Sequence, residues 1–331
     1  MKIVDNIDKI INELGSNDQI GITIGNFDGV HLGHKKLLSE VYEECLKLNL
    51  KFILITFVPH PKMILVPNLD KNYLINTYIE RRELLQELKV IDFLVEMNFT
   101  RDFSLLSPFD FIQKKLLENQ NIGTILKKLF LGHDFSFGAN KSGDISFIRE
   151  KFPNLDVKEH KMFTKNSAIS STIIRNLIKS GDIKEAEELL GRKYFISGIV
   201  MKSKGLGRKI GFPTANLDYS EFVVIPKRGV YLTSTEINGF LYRSVTNVGF
   251  NPTTDKEDKD VNGEVSNKTN HIFKLETYIL DYNSNIYGDR IKVYFEKRIR
   301  DEITFSSIEE LKKQIEDDVT FARNFINSDH T

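Results

Sequence analysis

Residues 25–34 combine groups that could bind a phosphate and stabilise its transfer. They read Gly-Asn-Phe-Asp-Gly-Val-His-Leu-Gly-His and follow a short apolar run, residues 20–24. Apolar residues then recur at near-helical spacing, which predicts a strand, a turn and the start of a helix. Glycines let the backbone approach a ligand, and free N–H groups at a helix N-terminus favour an anion. His31 and His34 would share one face of the first helical turn, where both could donate hydrogen bonds to a phosphoryl group.

Simpler explanations exist for each of these residues. Asp28 and the glycines could serve only the turn. The two histidines could be exposed helix residues, or two zinc ligands that lack nearby partners. Because the histidines flank a glycine directly after a strand and a tight turn, we favour the phosphate site.

A second glycine-rich stretch, residues 204–216, also carries groups suited to phosphates. Backbone N–H groups and positive side chains could surround ATP phosphates in a loop that contains Lys204, Gly205, Gly207, Arg208 and Gly211. The stretch lacks both the P-loop pattern and the dinucleotide fingerprint, and a flexible hairpin tip is the simpler explanation.

Thr214 and Asn216 follow this loop and alternate around Ala215. In an extended segment their side chains would lie on one face, where their oxygens could hold Mg²⁺ beside ATP phosphates. Pro213 and Thr214 could equally mark a simple entry into a strand.

Two apolar runs of the first half end in residues that could line a pocket. Pro59, His60 and Pro61 follow the run at 52–57, and the carboxyl edge of a parallel sheet is where such proteins bind ligands. A histidine between prolines is, on its own, more often a rigid loop residue. Asp134 follows the run at 129–131, where its carboxylate could contact a base or ribose or could cap the next turn.

A short helix is predicted to begin near Ser170 and to end near Gly181. Capping alone would explain the hydroxyl residues Ser170, Ser171 and Thr172. Arg175 would lie in the first turn, where a cation opposes the helix dipole unless it binds an anion.

The elements that must position these residues fall into two groups. Amphipathic helical stretches alternate with the apolar runs 20–24, 52–57, 93–95 and 129–131, which predicts a parallel, Rossmann-like α/β sheet. Beyond residue 192, short strands with an Asn238-Gly239 hairpin signal predict a small closed antiparallel barrel. Its strands are expected at 194–202, 229–236, 240–245, 272–281 and 290–295.

A final helix is predicted to begin at Ser306 or Ser307, with Glu309 or Glu310 completing a capping box. The side chains expected to pack on the barrel are Ile308, Leu311, Ile315, Val319 and Phe325. Residues 255–270 are polar and charged, and we expect a mobile surface insertion there.

Length and composition narrow the function classes. A chain of 331 residues is expected to form two domains, which we divide as 1–182 and 183–331. Lys and Arg total 46 and so do Asp and Glu, which argues against a nucleic-acid partner and favours small molecules. Cys45 is the single cysteine, and no apolar run could span a bilayer, so we expect a cytoplasmic protein with no membrane contact. We expect a monomer or a weak homo-oligomer.

Two motifs carry a resemblance to a known family. Residues 25–34 resemble the G-x-F-D-x-x-H-x-G-H signature of nucleotidylyltransferases, in the wording of bacterial FAD synthetases. Residues 205–216 resemble the G-x-G-R-x-x-G-F-P-T-A-N signature of riboflavin kinases. The chain is thereby identified as a member of the bacterial FAD synthetase family, which combines riboflavin kinase with FMN adenylyltransferase. The resemblance implies phosphorylation of riboflavin to FMN by ATP with Mg²⁺, then adenylylation of FMN to FAD with release of pyrophosphate.

The resemblance also implies roles for individual residues. In the first domain it makes His31, His34 and Arg175 catalytic, and it gives a flavin pocket to Pro59, His60 and Pro61. It assigns ATP to Gly25, Phe27, Asp28, Asp134, Ser170, Ser171 and Thr172. In the second domain it makes Glu276 the general base, assigns Mg²⁺ to Thr214 and Asn216, and assigns ATP phosphates to Lys204, Gly205, Gly207, Arg208 and Gly211.

Three positions depart from the family pattern, and two rival functions stay open. Ser136 stands where many members have a basic residue, Asn251 where Arg is usual, and Tyr278 where His is common. One rival retains only one of the two activities. The other is a catalytically silent flavin-binding regulator.

Overall fold

The computed structural model describes residues 1–118, 122–161, 169–202, 206–250 and 273–325. The chain divides into two compact units, Met1–Ser171 and Thr172–Thr331. The boundary that we placed near residue 182 would assign one more helix to the first domain, and it stays a prediction.

The first unit is built on a parallel sheet. In the described residues its strands are β1 (Lys2–Val4), β2 (Gln19–Ile24), β3 (Leu50–Val58), β4 (Phe93–Asn98), β5 (Leu126–Gly132) and β6 (Asp156–His160). They pair in the order β1-β4-β3-β2-β5-β6, and every pairing is parallel. The helices between them are α1 (Asp8–Ile11), α2 (Leu32–Lys47), α3 (Pro61–Leu65), α4 (Tyr78–Glu87), α5 (Arg101–Ser104), α6 (Pro108–Ile112), α7 (Ile122–Ile125) and α8 (Ile145–Lys151).

The strand order explains where a ligand can sit. The chain runs outward from β2 through β3 to β4, then crosses back to place β5 on the other side of β2. In open α/β sheets, ligands bind beyond the carboxyl ends of the strands where the order reverses in this way. The segments that follow β2 and β5 begin at Gly25 and His133, so two of the predicted site segments meet this edge.

The four apolar runs are confirmed as β2, β3, β4 and β5, because parallel strands buried on both faces are continuously apolar. Two strands were not predicted. Strand β1 has three residues, and β6 is largely exposed with only His160 buried, so neither forms an apolar run. Gly21 of β2 is required by close packing, since a Cβ there would lie 2.8 Å from the Cys45 Sγ atom. Burial raises the pKa of the Cys45 thiol to about 12.

The rest of the described chain contains two helices, a barrel and a C-terminal helix. The helices α9 (Ser171–Ser180) and α10 (Ile183–Leu190) come first. The strands are β7 (Tyr194–Met201), β8 (Thr214–Tyr219), β9 (Gly229–Ile237), β10 (Phe240–Phe250), β11 (Phe273–Ile279) and β12 (Arg290–Arg300), with the single turn α11 (Leu206–Lys209) between β7 and β8. The strands close into an antiparallel barrel in the order β10-β11-β8-β7-β12-β9, which confirms the predicted architecture.

Local signals in this half also match the structure. Asn238 and Gly239 have φ angles of 51° and 83° and join β9 to β10 in a tight hairpin. The last helix is α12 (Ile308–Asn324); the Ser307 hydroxyl accepts a bond from the Glu310 N–H, while the Glu310 carboxylate accepts from Ser306. Among the side chains of this helix that were expected to pack on the barrel, Val319 is buried against it but Ile308 is exposed. The predicted insertion at 255–270 lies outside the described residues.

Candidate functional sites

The segment that we call the histidine turn, residues 25–34, joins β2 to α2. Its backbone enters the left-handed region at Phe27 (φ 50°), Gly29 (φ 83°) and Val30 (φ 39°). Such conformations are energetically costly for residues other than glycine, and they persist only where the surrounding structure enforces them. Helix α2 begins directly after His31, which confirms that the helix starts at this turn.

His31 and His34 stack against each other at the start of α2. Their ring centroids lie 3.6 Å apart with 17° between the planes, and His31 is only 4% exposed. The Nδ1 atom of His31 accepts a hydrogen bond of 3.3 Å from the backbone N–H of His34 and caps the helix. In neutral His31 the ring proton therefore sits on Nε2, which makes that atom a hydrogen-bond donor.

Burial and the neighbouring His31 hold the pKa of His34 well below its usual value. His34 is therefore neutral near pH 7. Its Nδ1 atom is buried and has no hydrogen-bond partner within the described ranges. Phe27 packs edge-on against the His34 ring, with 5.1 Å between centroids, so the conformation of the turn fixes the place of that ring.

Asp28 and Gly29 hold the turn against the loop that precedes α4. The buried Asp28 carboxylate accepts hydrogen bonds of 3.0 and 3.3 Å from the backbone N–H of Ile75. A Cβ on Gly29 would lie 2.8 Å from the Ile75 Cδ1 atom. The backbone carbonyl of Asp28 accepts a bond of 2.9 Å from the Ser171 hydroxyl. These contacts support the structural alternative for Asp28, and its contact with ATP stays a prediction.

The predicted flavin-pocket residues form the loop between β3 and α3. Pro59 follows a cis peptide bond, and Pro61 is the first residue of α3. His60 is buried and caps this helix, its Nδ1 atom accepting a bond of 3.1 Å from the Lys62 N–H. The His60 backbone N–H donates to the Tyr78 hydroxyl at 2.8 Å, which ties the loop to α4.

A buried ion network behind the histidine turn was missed by the sequence analysis. Arg81 of α4 is 2% exposed; its guanidinium donates to the Asn26 carbonyl at 3.0 Å and to the Glu96 carboxylate at 3.2 Å. Arg82 binds the other oxygen of Glu96, with its Nε atom 2.9 Å away. The available signal was Glu96 itself, a carboxylate between the apolar residues Val95 and Met97 of β4, since a buried charge requires a partner.

The other residues predicted for the adenylyl-transfer site lie in the turn after β5 and around the start of α9. Asp134 and Ser136 are exposed in the turn that follows β5. Ser170 precedes α9, Ser171 begins it and Thr172 is exposed in its first turn. Arg175 is the fifth residue of this helix and is buried, so it lies just beyond the first turn in which it was predicted.

In the second unit, the predicted phosphate loop is described from residue 206 onward. Lys204 and Gly205 lie outside the described residues, as does Asn251. Gly207 is required by a close approach, because a Cβ there would lie 2.3 Å from the Phe212 carbonyl oxygen and 3.3 Å from the Thr214 hydroxyl. Gly211 has a φ of 94° in open space. Exposed Arg208 reaches the Tyr287 hydroxyl at 3.3 Å, so its guanidinium stays at the surface.

The barrel brings the predicted metal ligands and the predicted base to one strand face. Asn216 of β8 pairs directly with Glu276 of β11, and Thr214 pairs with Tyr278. Directly opposed residues of an antiparallel pair share a face, with Cβ atoms roughly 4.5–5.5 Å apart. The Glu276 carboxylate also meets the Lys274 Nζ atom at 2.7 Å.

The same register adds a residue that the sequence analysis did not single out. Asn247 of β10 lies opposite Glu276 on the side away from Asn216. Carboxamides therefore flank the glutamate on both neighbouring strands. This juxtaposition depends on strand pairing between distant segments, so no local sequence signal could have revealed it.

The donor set on this face fits a hard cation. Thr214, Asn216 and Glu276 offer hydroxyl, amide and carboxylate oxygens, and Mg²⁺ binds proteins through a few oxygens together with substrate phosphates. Across the described ranges, no cluster of three or more His, Cys, Asp and Glu side chains could hold a metal by itself.

No helix in the described part of the chain is both long enough and apolar enough to cross a membrane.

The chain matches known proteins over both units. The FAD synthetase family model matches residues 15–173, and the riboflavin kinase model matches residues 190–326. A bifunctional riboflavin kinase/FMN adenylyltransferase from Bacillus subtilis is 33% identical and aligns with 90% of this chain and 89% of its own. The protein of that name from Escherichia coli K12 is 34% identical, with coverages of 95% and 96%. A crystal structure described as a macrolide-efflux protein from Streptococcus pneumoniae is 29% identical and covers 98% of this chain and 99% of its own, with a TM-score of 0.80.

Proposed function

We propose, from the premise that the chain belongs to the bifunctional riboflavin kinase/FMN adenylyltransferase family, that its two reactions occur at the two sites described above. The protein phosphorylates riboflavin to FMN and adenylylates FMN to FAD, with ATP as the co-substrate of both steps. The histidine turn is assigned to the second step, and the face of β8 and β11 to the first. The observation that carries this assignment is the pairing of Asn216 with Glu276 in a unit separate from His31 and His34.

In adenylyl transfer, an oxygen of the FMN phosphate attacks the α-phosphorus of ATP, and the bond to pyrophosphate breaks. Negative charge grows on the equatorial oxygens in the transition state, where preorganised donors have their largest effect. The Nε2–H of His31 is such a donor, because Nδ1 is already occupied by the His34 N–H. His34, neutral and stacked on His31, supplies a second imidazole at the same helix N-terminus.

Other first-domain residues complete this proposal. Gly25, Phe27, Asp28, Asp134, Ser170, Ser171 and Thr172 are proposed for ATP, and Pro59, His60 and Pro61 for the flavin. Arg175 is proposed to hold the departing pyrophosphate.

In the kinase step, the terminal hydroxyl of the ribityl chain attacks the γ-phosphorus of ATP and must lose its proton. Glu276 is proposed to accept that proton as a general base. Its carboxylate forms an ion pair with the Lys274 ammonium at 2.7 Å. Gly207, Arg208 and Gly211, with Lys204 and Gly205, are proposed to bind the phosphates.

Thr214 and Asn216 would hold Mg²⁺ in this step. The bound ion would neutralise charge on the ATP phosphates. Asn216 is 7% exposed, and strand pairing places it directly opposite Glu276. We also propose a cytoplasmic enzyme, since both steps use ATP and Cys45 is the single cysteine of the sequence.

A single incubation tests the assignment of two activities. The protein is mixed with riboflavin, ATP and MgCl₂, and the flavins are separated at successive times. FMN should form first and FAD should follow at its expense. FMN without FAD would support the single-activity rival, and unchanged riboflavin would support the silent regulator. Omission of MgCl₂ with added EDTA should stop FMN formation.

A further inference from the structure

Arg81, behind the histidine turn, is linked to both loops that are proposed to bind substrates, directly to the histidine turn and through Tyr78 to the proline loop. Arg81 donates from Nη1 to the Asn26 carbonyl at 3.0 Å. Its guanidinium also lies 5.2 Å from the centre of the Tyr78 ring. The Tyr78 hydroxyl in turn accepts from the His60 N–H at 2.8 Å. The first turn of α4 therefore braces the histidine turn and the proline loop together.

Hydrogen bonds to the Asn26 carbonyl fix the conformation of the histidine turn. It accepts two hydrogen bonds, one from Arg81 and one of 3.2 Å from the Thr56 hydroxyl. The peptide plane that carries this carbonyl leads directly into Phe27, which has a φ of 50°. Phe27 packs against His34 at 5.1 Å. A change in this peptide plane would therefore move the ring on which His34 rests.

Burial makes the arginine contact strong and specific. Arg81 and Glu96 are 2% and 7% exposed, so neither charge can rely on water. The Glu96 carboxylate is shared, with one oxygen on Arg81 and the other on Arg82. A guanidinium presents several donors in a fixed plane and can span two acceptors, whereas an ammonium acts as a point charge.

We infer that Arg81 is a positioning residue for adenylyl transfer, holding the Asn26 carbonyl and thereby placing His34. This inference rests on the proposed function of the histidine turn. Arg81 is not proposed to contact a reacting atom. It affects the position of His34 through the backbone of the histidine turn. Arg82 offers a matched comparison, because in the described part of the chain its hydrogen bonds go to Glu96 alone.

The test compares Arg81→Lys with Arg82→Lys in the full chain. Each variant leaves Glu96 with one arginine, but lysine at position 81 cannot reach Glu96 and Asn26 together. For Arg81→Lys we expect kcat for FAD formation from supplied FMN to fall about 10- to 100-fold, because small displacements of reacting groups are costly. KM for ATP and FMN should change less than about three-fold, and FMN formation from riboflavin should be unchanged. Arg82→Lys should stay within about two-fold in every measurement.

Thr56→Val is a second test, which remains informative if Arg81→Lys fails to fold. It removes the other donor to the same carbonyl and preserves side-chain shape, and we expect kcat for FAD formation to fall about three- to ten-fold. Equal kcat values for the wild type, Arg81→Lys and Thr56→Val would overturn the inference. So would a loss confined to KM. His34→Ala distinguishes failure of this inference from failure of the proposed function. If His34→Ala abolishes FAD formation while Arg81→Lys leaves it unchanged, only the positioning role of Arg81 is wrong. If His34→Ala has no effect on FAD formation, the assignment of the histidine turn is itself wrong.

Discussion

The two proposed phosphate-transfer sites place their side chains by different physical means. At the histidine turn, a strained loop at the carboxyl edge of a parallel sheet presents His31 and His34 at a helix N-terminus, and buried contacts from Asp28 and Arg81 hold the loop. In the barrel, antiparallel register alone sets Asn216 beside Glu276. A site on a loop depends on tertiary contacts with other segments to hold its conformation. A site on a strand is positioned by the hydrogen-bonded pairing of the sheet.

This difference predicts how each site responds to substitution. A strand face should tolerate changes in neighbouring side chains as long as the ladder is intact, so its losses should come from the chemical groups themselves. A braced turn should lose activity when the brace is changed, even where no reacting group is touched.

The largest loss is expected for Glu276→Gln. The amide cannot accept the proton of the attacking hydroxyl, so FMN formation from riboflavin should fall about 10²- to 10⁴-fold. FAD formation from supplied FMN should be unchanged, and both rates are measured by flavin separation. Glu236→Gln, on β9 of the same barrel, is the matched control and should leave both rates within about two-fold. Near-normal FMN formation by Glu276→Gln would reassign this residue to structure.

His31→Ala and His34→Ala should come next. Each removes one donor to the transition state, so FAD formation should fall about 10²- to 10³-fold. The kinase step in the same preparation shows whether the second unit is intact, and it should be nearly unaffected. If both activities fell together, the separation of the two sites would be wrong.

Asn216→Ala should weaken the response to Mg²⁺ without removing the base. We expect the MgCl₂ concentration for half-maximal FMN formation to rise about 10- to 100-fold, the scale seen when metal-site residues are lost. The rate at saturating MgCl₂ should recover in part, because Glu276 is still present. An unchanged MgCl₂ dependence would contradict the metal role. The Mg²⁺ dependence of FAD formation should be the same in variant and wild type.

The smallest effect concerns pH and stability. The pKa of His34 is lowered from 6.5 in the folded protein, so below that pH the unfolded chain binds a proton that the folded chain does not. The free energy of unfolding should therefore be constant near and above pH 7 and fall as pH decreases below about 6.5, by at most about 1.4 kcal/mol per pH unit from this group. Denaturation of the wild type and His34→Asn between pH 5 and 8 should show a shallower dependence in the variant. Parallel curves would contradict the buried, neutral state of His34.

Much of the fold follows from local sequence. The apolar run at 20–24 predicts a buried parallel strand, and Asn238-Gly239 predicts a hairpin, because each signal depends on a few adjacent residues. Strand β6 was not predicted, because most of its side chains are exposed and it therefore lacks an apolar run. It is held in the sheet by its pairing with β5. Its identity as a strand depends on a partner that is distant in sequence.

The candidate sites divide in the same way. His31 and His34 could be found from spacing because they share one helical turn. Arg81 and Asn247 could not, since their importance arises from contacts across tens of residues, to Asn26 and to Glu276. Asp28 shows the opposite case, in which a motif residue is engaged by the backbone of Ile75. Local motifs thus indicate chemistry, while tertiary contacts decide which motif residues are available for it.

A mixture of two variants shows whether the two sites act independently. Glu276→Gln and the double variant His31→Ala/His34→Ala are each incubated with riboflavin, ATP and MgCl₂, first separately and then together, and FAD is measured. Separately, we expect unchanged riboflavin with the first and accumulated FMN with the second. Together, the FMN made by one should be adenylylated by the other, so FAD should form at a rate that depends on both concentrations. Loss of both activities in either variant, with no FAD from the mixture, would contradict an enzyme with two independent sites.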